Sequence, residues 1–117
     1  MHPNAAPTLL VVPGGYEYLC DADLAPGAMR RIRLGEFGVC VANVDGEYFA
    51  IEDACNHSGA SLARGTLCGP VVSCYLHHFD FDVRDGRLLT KPRLCEDQQR
   101  FPLIQVEGKV YVDRGGR

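Results

Sequence analysis

From residue 16 onward, apolar and polar positions fall into short runs broken by turn-forming pairs. Residues 30–34 alternate, 39–44 are largely apolar, and 48–51 follow after Asp45-Gly46. Asp-Gly between two such runs predicts a tight hairpin, because glycine accepts the positive φ that the turn requires. The pattern recurs with Asp85-Gly86 between 79–83 and 87–89, and with Glu107-Gly108 between 102–106 and 110–112. Helix signals are weak. Asp21 caps at most one turn through Asp23-Leu24 before Pro26-Gly27 stops it. No window carries the 3.6-residue period of an amphipathic helix, and there is no internal repeat. The expected fold is all-β, a mostly antiparallel sandwich or partly open barrel.

At 117 residues the chain is expected to form one domain. Residues 1–15 hold three prolines and end in Gly14-Gly15, which predicts a loose extension lying against the body through 9–12. The domain proper is expected over 16–117. A net charge of −3 argues against a nucleic-acid partner. The one cationic cluster, Arg30, Arg31 and Arg33, reads as a solvated strand face. The apolar run at 9–12 is far too short for a signal-peptide core or a membrane span, so a cytoplasmic protein is expected. Six cysteines in a reducing compartment then point to metal or redox roles rather than structural disulfides.

The strand rhythm breaks between 53 and 73, where small and turn-forming residues dominate. One mixed pair falls inside this interval and a second just after it. Cys55-Asn56-His57 is followed, sixteen residues on, by Cys74-Tyr75-Leu76-His77. Thiolate with imidazole suits zinc, copper(I) or an iron–sulfur centre. Structural zinc usually takes its ligands as like pairs, Cys with Cys and His with His. Here each short pair joins one Cys to one His. Such a pair serves a single tetrahedral ion poorly but reaches two adjacent irons, as in a [2Fe–2S] cluster with two histidines on one iron. Three other readings stand beside this one. Zinc can take the same four residues, Cys74 can act as a nucleophile with His57 or His77 as base, or all four can be ordinary side chains. No sequence feature supplies the substrate pocket or orienting acid that the nucleophile needs. Cys20, Cys40, Cys68 and Cys95 read as packed thiols rather than ligands. Tyr48, Phe49, Phe79, Phe81, Phe101 and Tyr111 read as core or its flanks, and His2 as a tail residue without a role.

With these motifs the chain resembles the Rieske ferredoxins that serve bacterial aromatic-ring dioxygenases. The resemblance runs from about Tyr16 to Asp113. Besides the two ligand pairs it takes in residues 44–51, Gly59-Ala60-Ser61-Leu62, Phe81-Asp82 and residues 106–112. It implies one [2Fe–2S] cluster on two loops of a β framework, with Cys55 and Cys74 on a buried inner iron. His57 and His77 would hold an outer iron near solvent. It also implies a one-electron carrier between a flavin-dependent NAD(P)H reductase and a terminal oxygenase, not itself the catalytic subunit. Two alternatives remain, a small Rieske-like subunit of a nitrite-reductase-type complex and a zinc-stabilised binding module. The chain departs from the family at Asn56, where Pro or Thr is common, at Tyr75, where Pro is common, and at His78, where Gly is usual. The last change makes His78 a rival to His77. Ala60 and Leu76 replace the extra cysteines of the high-potential members, while Phe79 and Phe81 replace their hydroxyl donors. The expected potential is therefore toward the low end of the Rieske range, about −150 mV.

Overall fold

The computed structural model describes residues 7–113. It is built from ten strands: β1 (Thr8–Leu9), β2 (Tyr16–Asp21), β3 (Met29–Leu34), β4 (Phe37–Val44), β5 (Glu47–Glu52), β6 (Thr66–Cys68), β7 (Val71–Ser73), β8 (Asp80–Asp82), β9 (Leu103–Val106) and β10 (Lys109–Asp113). One short 3₁₀ turn, Leu62–Arg64, interrupts them. The strands form three sheets, ordered β1-β9-β10-β2, β3-β4-β5 and β6-β7-β8.

The expected turns form for the expected reason. Asp45 and Gly46 take φ of 53° and 93°, and Glu107 and Gly108 take 49° and 80°. Both central residues are thus left-handed, as a two-residue hairpin turn demands. Asn43 locks the first turn: its Oδ1 accepts from the Gly46 N–H at 2.7 Å.

The sheet β3-β4-β5 is the middle layer. On β4 and β5, Val39, Val41, Tyr48 and Ala50 pack toward the β2-β9-β10 side with Leu19, Phe101, Leu103, Val110 and Val112. Cys40, Ala42, Val44, Phe49 and Ile51 pack the other way, against Leu62, Val72, Phe81 and Val83. A strand buried on both faces reads as a continuous apolar run, which explains the lack of alternation at 39–44. Full burial of one Val or Leu contributes about 1.5–3 kcal/mol, so this double-sided layer anchors both neighbours.

Within the extension, β1 lies parallel to β9, with Thr8 opposite Gln105. Residues 1–6, including His2, lie outside the described residues. Three expectations need correction. No helical turn forms at Asp21, which ends β2 and accepts from the Tyr18 hydroxyl at 2.8 Å. The strand expected at 87–89 is reduced to one bridge, Leu88 to Phe81. There Leu89 N still donates to Asp80 O and Asp82 N to Arg87 O, at 2.9 Å each, while Arg87 N turns to the Asp85 carboxylate and Leu88 N to that of Asp97. Finally, Cys68 is exposed at the end of β6, where Gly69-Pro70 turns the chain, rather than packed.

Candidate metal centre

Both Cys–His pairs sit in hairpin loops of the same design. Residues 55–60 are closed by an antiparallel bridge between Ala54 and Ser61. Residues 74–79 are closed by the Ser73–Asp80 pair that ends β7 and begins β8. In the first loop Cys55 N donates to Ala60 O at 2.9 Å, and Gly59 N donates to Cys55 O at 2.7 Å. In the second, Cys74 N donates to Phe79 O at 2.9 Å, and His78 N donates to Cys74 O at 3.1 Å. These two closing bonds fall at equivalent positions in the two loops, and the second adds His78 N to Leu76 O at 3.0 Å. The residue four places after each cysteine is left-handed, with φ of 77° at Gly59 and 56° at His78.

This equivalence explains the departure at residue 78. The turn needs a positive φ there, which glycine adopts freely and histidine only at a cost. His78 adopts it nonetheless, and His77 beside it has φ of 65°. The backbone shape that Gly59 supplies in the first loop is therefore kept in the second.

The loops bury their sulfurs and expose their imidazoles. Cys55 and Cys74 are 3% and 1% exposed, within the core beneath the loops. His57 and His77 are exposed on the surface above, their ring centroids 5.2 Å apart and their planes at 80°. His57 of one loop also stacks on Phe79 of the other, at 3.9 Å and 5°. A second contact crosses between the loops, Ser58 Oγ to Cys74 Sγ at 3.3 Å. From the 3₁₀ turn beyond the first loop, the Arg64 guanidinium lies 5.2 Å from the centre of the Tyr75 ring.

The first loop depends on a residue that the sequence gives no reason to single out. Gln98 is 3% exposed. Its Oε1 accepts from Asn56 N at 2.7 Å, and its Nε2 donates to Glu52 O and Ala54 O at 2.8 and 2.9 Å. Asn56 returns the contact, donating from Nδ2 to Asp97 O at 2.7 Å. Nothing local to position 98 signals this role, because its partners lie more than forty residues away in the chain.

Among the described residues, no three or more His, Cys, Asp or Glu side chains gather as a single ion would require. A two-iron cluster asks for something else, two protein ligands on each metal. Buried soft thiolates and exposed imidazoles, delivered as one pair per loop, fit that demand. The remaining cysteines are free thiols. Burial pushes Cys20 and Cys40 upward and keeps them protonated. Cys95 is half-buried, and its thiol is likewise raised, mainly by desolvation.

Comparison with known proteins agrees with this geometry. The Rieske [2Fe-2S] domain matches residues 16–106. The ferredoxin component of biphenyl 2,3-dioxygenase from Rhodococcus jostii (strain RHA1) is 41% identical over 100 residues, covering 84% of this chain and 92% of that protein. The biphenyl dioxygenase ferredoxin subunit of Pseudomonas sp. (strain KKS102) is 40% identical over 97 residues, covering 80% and 87%. Among solved structures, a chain in the complex of reduced oxygenase and oxidized ferredoxin in carbazole 1,9a-dioxygenase superposes with a TM-score of 0.77. It is 35% identical, over 86% of this chain and 94% of that one. The chain belongs to the Rieske [2Fe–2S] domain family and takes a Rieske-type cluster.

Proposed function

We propose that this protein is the electron-carrying ferredoxin of a ring-hydroxylating dioxygenase system. In this reading it takes single electrons from a flavin-dependent NAD(P)H reductase and delivers them to a terminal oxygenase. Cys55 and Cys74 hold the inner iron, and His57 and His77 the outer one. The observation that carries the reading is the vertical order of the site: thiols in the core, and two facing imidazoles at the surface.

The cluster supplies one-electron redox chemistry, at a potential raised by its two neutral imidazole ligands relative to all-cysteine clusters. The chain's residues do the rest. Phe79 and the core around Cys55 and Cys74 exclude water from the inner side. Residues 75 and 76 are large apolar side chains left 43% and 41% exposed beside the imidazoles. An exposed apolar rim around a redox edge suits transient docking of a protein partner. In this reading His77 is the ligand and His78 takes the left-handed turn position that Gly59 fills in the first loop. No helix of the described residues is long and apolar enough to cross a membrane, and the proposed site of action is the cytoplasm.

The test is single-turnover electron transfer. Anaerobically reduced protein is mixed with the oxidised terminal oxygenase of a biphenyl or carbazole dioxygenase system, and its reoxidation is followed by absorbance. Rapid reoxidation that saturates with oxygenase concentration is expected. Reoxidation no faster than with an unrelated redox protein would refute the assignment.

A further inference from the structure

Ser58 stands three residues after Cys55, the place that His77 occupies relative to Cys74. The two loops share their closing hydrogen bonds, but the backbone differs at these two places, since His77 is left-handed and Ser58 is not. In the second loop the side chain at this place is a cluster ligand in the reading above. In the first it is a hydroxyl 3.3 Å from the sulfur of Cys74, across the gap between the loops.

The direction of this bond follows from its surroundings. Ala60 N donates to Ser58 Oγ at 3.2 Å, so one lone pair of the hydroxyl is occupied and its proton is free to turn elsewhere. A cysteine holding iron is a thiolate and only accepts. Ser58 therefore donates to Cys74 Sγ. The contact is part-buried, where a hydrogen bond to a charged acceptor is stronger than in water.

We infer that Ser58 is a tuning residue for the cluster, a hydroxyl donor to Cys74 that raises the reduction potential. Hydrogen bonds to the sulfurs set the potential of such centres, since a donor stabilises the more negative reduced state. The sequence suggests a site without hydroxyl donors, because Phe79 and Phe81 occupy the donor positions of the second loop. The structure supplies one from the first loop instead, so the potential lies above that of a donor-free site. The inference rests on Cys74 being an iron ligand.

The test compares Ser58→Ala, Ser58→Val and Ser58→Thr with the wild-type holoprotein by iron and sulfide content, voltammetric midpoint potential and EPR of the reduced state. A negative shift of the midpoint is expected for Ala and Val at full iron content, with Thr restoring the wild-type value. Thr and Val have nearly the same shape, so their difference isolates the hydroxyl. Equal potentials for Val and Thr at full cluster loading would overturn the inference and leave the ligand assignment intact. Loading in Thr but in neither Ala nor Val would also overturn it, by showing a role in assembly. A wild-type protein without the cluster would remove the ligand reading itself, a distinct failure.

Discussion

The two cluster loops share one backbone turn and are held in opposite ways. The loop at 74–79 grows from a three-stranded sheet, and its stem is tightened by Ser73 Oγ donating to Asp80 Oδ1 at 2.5 Å. Asp80 N is itself held by Thr90 Oγ1 at 2.8 Å. The loop at 55–60 has a single bridge for a stem and is held from outside, through Gln98 and Asn56, by the segment at 96–98. One loop is supported by its neighbours in sequence, the other by residues far along the chain. A local turn can thus be duplicated while the means of fixing it differ.

The largest effect is expected where the external support is removed. Gln98→Ala deletes three side-chain hydrogen bonds in a buried setting and strands the Asn56 N–H. A loss of about 3 kcal/mol is expected, read as a lower denaturant midpoint at unchanged slope. Cluster release should accelerate with it. A loss near zero would show that the first loop stands without the clamp.

The internally supported loop is challenged through Asp82 at the end of β8. Arg84 hydrogen-bonds its carboxylate, at 2.9 and 2.7 Å, and holds its pKa below the usual carboxylate range. The folded pKa lies below the unfolded value of about 3.9. This contribution is therefore present above that value and is lost as pH falls through the folded one. Asp82→Asn should cost about 2 kcal/mol at neutral pH, with the difference from wild type closing only in strong acid. A gap that closes between pH 6 and pH 5 would contradict the assignment.

The smallest effect sharpens the comparison most. Gly59 and His78 take the same left-handed position, and a Cβ on Gly59 would meet nothing within 4 Å. Gly59→Ala should therefore cost about 1 kcal/mol from backbone conformation alone, and His78→Gly should return about the same amount. Unequal or like-signed changes would break the equivalence of the two turns.

Much of this was legible before any coordinates. The hairpins at Asp45-Gly46 and Glu107-Gly108 announce themselves because two successive positive φ values need those residues, and the structure has them. The two Cys–His pairs were visible in the spacing, and together with the flanking motifs they made the resemblance to the family. What escaped was non-local. β1 pairs with a strand almost the whole chain away, so its sequence carries no sign of the partner. Gln98 looks like any polar loop residue until the fold brings Asn56 to it. The strand expected at 87–89 shrinks to one bridge, with the Arg87 N–H bonded to Asp85 and the Leu88 N–H to Asp97, contacts that alternation patterns do not record. Ser58 was hidden for a different reason. Its role depends on two loops converging, which brings its hydroxyl to Cys74 of the other loop.

The most direct measurement of the central claim, that one repeated turn presents a Cys–His pair from each loop to one cluster, is EPR of the anaerobically purified, dithionite-reduced protein and two variants. The wild type should give the rhombic, low-average-g signal of mixed histidine and cysteine ligation. His78→Ala should keep that signal and His77→Ala should lose it. Loss in His78→Ala with retention in His77→Ala would contradict the account, because the residue at the turn would then be the ligand.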